Sequence, residues 1–169
     1  MFQQILVTTD GSPLGNLALP VAADLARTYK CALTLLYVTP DMFSQASTSG
    51  GEVYFFDQEA EEARLVEEAD RILETCKTLL DYEPALLVST RQRGQEVAAV
   101  IAEEVELRRA DLIVMSTHGR RGLAHLFLGS VAEGVLRKVR IPVFLVRSPE
   151  GLPEAGQDHH QDHQESATA

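Results

Sequence analysis

Residues 116–130 read Ser116-Thr117-His118-Gly119-Arg120-Arg121-Gly122-Leu123-Ala124-His125-Leu126-Phe127-Leu128-Gly129-Ser130. They follow an apolar run, Leu112 to Met115, and end where a helical pattern opens at Ser130. A small-residue loop between a strand and a helix N-terminus lets backbone amides approach a phosphate, and the helix dipole favours the negative charge. Arg120 and Arg121 add positive charge, which suits phosphate or, equally, a solvated surface pair. His118 is an imidazole, a side-chain type suited to general acid or base work, but no carboxylate or serine partner stands at a telling spacing, so no catalytic role is assigned. Ser130-Val131-Ala132-Glu133 fits a capping box, which would satisfy the free amides of the helix start. The alternative is that the Ser130 hydroxyl and the amides of Ser130 and Val131 hold phosphate oxygens, with a ligand replacing the cap.

Five apolar runs must position this loop: Ile5 to Val7, Leu33 to Val38, Ala85 to Val88, Leu112 to Met115 and Val143 to Val146. They are nearly continuous, as strands covered on both faces are. Helical patterns separate them. The first opens at Ser12-Pro13, an N-cap followed by proline. The second runs from about Asp57 to Leu80, acidic in its first turns, which suits the dipole. The third follows Gly94, and the fourth runs from Ser130 to the cations Arg137, Lys138 and Arg140. This alternation predicts an α/β fold, a doubly wound parallel sheet with right-handed crossovers. The segment from Thr39 to Phe56 breaks the rhythm and is expected to be a mobile flap or an interaction segment.

The 169 residues fit one domain, with 45% hydrophobic and 24% charged residues, ordinary for a globular protein. The domain is expected over 1–148 and a disordered tail over 149–169. The formal charge is −10, and the tail carries Glu150, Glu154, Asp158, Asp162 and Glu165 with no Lys or Arg. Such a chain is a poor nonspecific nucleic-acid binder. No apolar run approaches a membrane span, and the start lacks a secretory pattern, so a cytoplasmic location is expected. Cys31 and Cys76 show no zinc spacing and read as buried thiols. His125 reads as a solvent-facing loop residue, and His159, His160 and His163 as part of a solvated tail. A Walker loop, a dinucleotide Gly-x-Gly-x-x-Gly and a His-Glu-x-x-His are all missing.

Across residues 2–147 the chain resembles the universal stress protein family. The resemblance rests on Ile5-Leu6-Val7-Thr8-Thr9-Asp10-Gly11-Ser12, on Leu36-Tyr37-Val38, on the glycine loop and on Ile141-Pro142-Val143-Phe144-Leu145-Val146. ATP-binding members carry Gly, two residues, Gly, nine residues, then Gly-Ser or Gly-Thr. His118-Gly119 and Gly129-Ser130 fit that frame, with Ser116 at the first glycine position. The resemblance implies a single five-stranded sheet of order 3-2-1-4-5, adenine nucleotide alpha hydrolase-like, with helices on both faces. In that order the switch point, where open α/β sheets bind ligands, lies between the first and fourth strands. Asp10 and the glycine loop then converge. The implied cofactor is ATP with Mg²⁺ or Mn²⁺, held by Thr8, Thr9, Asp10, Val38, Met115, Ser116, His118, Gly119, Arg120, Gly122, Gly129, Ser130 and Val131. Asp10 would read the nucleoside, unless it only organises a turn through Gly11. Val38 and Met115 would flank the adenine, or simply pack in the core.

The resemblance implies an adenine-nucleotide-binding regulatory or stress-response protein, at most a slow ATPase, and a homodimer paired through Val143, Phe144, Leu145 and Val146. One alternative is a nucleotide-free member acting through protein contacts, for which Ser116 is the best support. Another is an adenylating enzyme, which wants a further catalytic domain.

Overall fold

The computed structural model describes residues 1–39, 58–92, 94–117 and 128–147. The expected flap (apart from Thr39), the expected tail, and His118, Gly119, Arg120 and Gly122 of the glycine loop lie outside the described residues. Among the described residues, five strands alternate with four α-helices. They are β1 (Gln4–Thr9), α1 (Ala18–Tyr29), β2 (Ala32–Thr39), α2 (Gln58–Leu80), β3 (Ala85–Arg91), α3 (Val97–Arg108), β4 (Leu112–Ser116), α4 (Ser130–Lys138) and β5 (Val143–Val146). The strands form one parallel sheet of order β3-β2-β1-β4-β5. The expected fold class and order are thus observed.

The near-continuous apolar runs are explained by two cores, one on each face. Ile5 and Val7 of β1, Leu33, Leu35 and Tyr37 of β2, and Leu112 and Val114 of β4 pack with α1 and α2. Their alternates Leu6, Leu36, Ile113 and Met115 pack with α3 and α4. The period of two sends neighbouring side chains to opposite faces, and both faces are covered. α1 meets the sheet through Ala18, Ala22, Ala23 and Ala26, all fully buried. Small side chains there bring the helix axis close to β1. α3 and α4 approach just as tightly: a Cβ on Gly134 would stand 2.7 Å from that of Ala98.

Two helix starts differ from the sequence expectation. Ser12 is not an N-cap: its Oγ accepts the Gly15 amide at 3.0 Å within the turn that precedes the helix. A single 3-10 turn, Gly15–Leu17, follows with Leu14 at its N-cap and no side-chain cap, and α1 begins only at Ala18. Pro20 falls in the first turn of α1, where its missing N–H costs nothing. At α4 the N-cap is Gly129, so Ser130 is already helical and no side-chain cap is made. The Ser130–Glu133 capping box therefore does not form, and Glu133 pairs with Arg137 instead.

Candidate functional site

β1 is the first strand laid down, and its neighbours lead away from it in opposite directions: β2 and β3 on one side, β4 and β5 on the other. The crevice beyond the carboxyl ends of β1 and β4 is therefore the topological switch point. β1 delivers Asp10 there. The Asp10 Oδ1 accepts hydrogen bonds from the Ser12 amide at 3.0 Å and the Ser12 hydroxyl at 2.6 Å. Gly11 turns the chain with φ of +79°, a conformation that favours glycine. Gly15 closes against the same carboxylate, since a Cβ there would lie 2.1 Å from Oδ1. Asp10 thus organises the turn, and that turn sits at the switch point.

β4 delivers the second half. The Thr117 amide donates to the Val146 carbonyl at 2.9 Å, and the Gly129 amide donates to the Thr117 carbonyl at 2.9 Å. These two bonds bring the end of β4 beside the N-terminus of α4, across residues 118–128. A Cβ on Gly129 would stand 2.7 Å from the Thr117 carbonyl oxygen. The close approach is backbone against backbone, which explains the glycine. The first turn of α4 starts from a residue without a side chain. Its leading amides therefore receive no side-chain cap, the condition that suits an anion. Ser130 and Val131 are exposed there. The Ser116 hydroxyl lies 3.4 Å from the Val146 carbonyl, tying the first glycine position of the frame to β5.

The remaining expected residues divide by face. Val38 and Met115 both belong to the core under α3 and α4, with Met115 buried and Val38 half-buried. By strand alternation Thr8 shares their face. Thr9 lies on the opposite face, buried, where its hydroxyl accepts the Gly11 amide at 2.9 Å and donates to Asn16 Oδ1 at 2.5 Å. Cys76 of α2 donates to the same Asn16 oxygen at 3.3 Å. Burial pushes the Cys76 thiol up from its ordinary value, with the Thr9 hydrogen bond acting the other way. Both cysteines are free thiols.

Sequence reading missed Gly15 and Asn16, and it took Ser12 only as a helix cap. Their signal was the small-residue spacing Asp10-Gly11-Ser12-x-x-Gly15, which local turn chemistry alone reads as a helix start. It also missed a groove of about 510 Å³ under the same turn, lined by Gly11, Arg64, Glu68, Arg71, Ile72, Thr75 and Cys76. Among the described residues no group of three His, Cys, Asp or Glu is placed to hold a metal ion. No described helix is long and apolar enough to cross a membrane.

Residues 1–147 match the family model described as the universal stress protein family. Universal stress protein MJ0531 of Methanocaldococcus jannaschii is 30% identical over 149 residues, covering 88% of this chain and 84% of that protein. Among solved structures, a universal stress protein in complex with cAMP superposes with a TM-score of 0.62 at 19% identity, over 86% of this chain and 97% of its own. The universal stress protein of Archaeoglobus fulgidus in complex with dAMP gives a TM-score of 0.56 at 22% identity, over 85% and 96%. At these identities the structural likeness speaks for the fold.

Proposed function

This chain belongs to the universal stress protein family, and on that premise we propose that it is a cytoplasmic, ATP-binding regulatory protein of the stress response. The observation that carries the reading is the meeting of two backbone features at one switch point. The Asp10 turn closes the end of β1, and the Thr117–Gly129 hydrogen bond brings the start of α4 to the end of β4. Adenine would lie over the face shared by Thr8, Val38 and Met115, with Asp10 on the nucleoside. The phosphates would meet the amides of Ser130 and Val131, with Ser116, His118, Gly119, Arg120 and Gly122 completing the loop. Family members solved with cAMP and dAMP support an adenine nucleotide. A Mg²⁺ or Mn²⁺ ion would arrive on the phosphate oxygens, since the described residues offer no cluster of their own and Mg²⁺ commonly binds in this way.

Occupancy would act by biasing the loop and the surface around it. No residue is assigned a catalytic role, and hydrolysis is proposed to be slow at most. It includes a homodimer through β5, an edge strand on which Phe144 is 46% exposed. Pairing with a second copy would satisfy that edge by a two-fold contact. Ser116 supports the second reading, a nucleotide-free member acting through protein contacts, because its hydroxyl is engaged with β5. Mass analysis of small molecules released on denaturing the purified protein, with calorimetric titration of ATP and Mg²⁺, decides between the two. An adenine nucleotide recovered or titrated supports the first; no adenine-nucleotide binding by either method overturns it.

A further inference from the structure

Asp10 sits in a turn with more order than an Asp-Gly pair needs. Its Oδ1 receives two hydrogen bonds from one residue, the Ser12 amide at 3.0 Å and the Ser12 hydroxyl at 2.6 Å. The same hydroxyl oxygen accepts the Gly15 amide at 3.0 Å. Gly15 has no side chain, and a Cβ there would come within 2.1 Å of Oδ1 and force the carboxylate aside. From beneath, Thr9 accepts the Gly11 amide and donates to Asn16, which is held in turn by the buried Cys76. Hydrogen bonds to a carboxylate are stronger than neutral ones. Two of them on one oxygen, with backbone packed against it, fix the plane of the carboxyl group and so the direction in which Oδ2 points.

We propose that Ser12 and Gly15 are positioning residues that hold the Asp10 carboxylate in the orientation that reads the nucleoside. The inference rests on the nucleotide reading above, in which Asp10 touches the ligand. Ser12 acts through Asp10 and does not itself contact the nucleotide. A site on rigid, hydrogen-bonded groups loses no ordering entropy when the ligand arrives, so loosening the carboxylate lowers affinity without removing a ligand contact.

The test is a double-mutant cycle on the full chain, read by calorimetric titration of ATP and of adenosine. Ser12→Ala is expected to weaken both ligands about tenfold, the size of a lost charge-assisted hydrogen bond. In an Asp10→Ala background the same substitution is expected to change affinity by less than about twofold, because the group it positions is gone. Ser12→Thr, which keeps the hydroxyl, is expected to restore most of the affinity. Equal losses in both backgrounds would overturn the proposal, and so would no loss at all. A readout independent of nucleotide comes from the carboxyl carbon resonance of Asp10 in the ligand-free protein. It should move in Ser12→Ala, stay in place in Ser12→Thr, and move in Gly15→Ala, where the added methyl displaces Oδ1. An unmoved resonance in Ser12→Ala and Gly15→Ala refutes the positioning role even where ATP binds. A moved resonance in a protein that binds no adenine nucleotide refutes the nucleotide reading and leaves the Ser12 contact standing.

Discussion

Gly129→Val separates the role of a close backbone approach from that of a flexible residue. Gly129 has φ −70° and ψ 153°, a region open to any L-residue. The substitution therefore brings no backbone strain. Its cost is steric: the new Cβ would lie 2.7 Å from the Thr117 carbonyl oxygen, and both atoms are held by main chain. Relieving that contact stretches the 2.9 Å bond from the Gly129 amide to the same oxygen. Overpacking of this kind costs roughly 1–3 kcal/mol, and the hydrogen bond adds about 1. A loss of about 2–4 kcal/mol is expected in urea unfolding, which a domain stable by about 5–15 kcal/mol survives. The same shift moves the start of α4 away from β4, so ATP affinity should fall well over tenfold in titration calorimetry. Gly134→Ala is the control. Its Cβ would crowd Ala98 at 2.7 Å, yet it gains about 1 kcal/mol of helix propensity and lies away from the helix start. It should lose stability and keep ATP affinity. A folded Gly129→Val protein with unchanged affinity would refute the site assignment.

Asp10→Ala should weaken ATP and adenosine together, and because Oδ1 also holds the turn it should lower the melting temperature by a few degrees; a loss confined to melting temperature would leave Asp10 as a turn residue only. Phe144→Lys should turn a dimer into a monomer in light scattering at micromolar concentration with little loss of fold, since Phe144 is 46% exposed, whereas Val146→Lys should also destabilise the monomer, because Val146 packs against the core. An unsubstituted protein that is monomeric, or a dimer that tolerates Phe144→Lys, would defeat the β5 pairing. Burial pushes the thiols of both Cys31 and Cys76 above their ordinary value of 9.0. The folded state then keeps protons that the unfolded state releases, so stability should fall as pH rises past about 9. Urea midpoints of wild type and a Cys31→Ala/Cys76→Ala variant should run parallel below about pH 9 and converge as pH rises above it, and curves that stay parallel would contradict the sign.

The two-sided burial of the strands was legible because a covered strand is apolar on both faces, and Leu112 to Met115 show that directly, as does Leu33 to Val38 apart from Thr34, which is buried and accepts a hydrogen bond from Gln4. The sheet order was not legible from those runs; it came with the family resemblance, since no local property of β4 says that β1 is its neighbour. The helix starts went wrong for a related reason. Ser130 has the composition of a cap, but the residue that closes the turn is Gly129, and what places it is a carbonyl twelve residues back, on Thr117. A backbone-to-backbone contact leaves only one mark in a sequence, the absence of a side chain. Glycine has several reasons to occur, so the mark is ambiguous until both partners are seen together. Ser12 illustrates the opposite case. Its pattern marks a helix cap, yet its hydroxyl accepts from Gly15 in the turn before the helix and donates to Asp10. One-dimensional pattern assigns a polar side chain one partner, whereas a hydroxyl has a donor and two acceptor positions. It is the second bond, the one the helix does not need, that ties the turn to the candidate site.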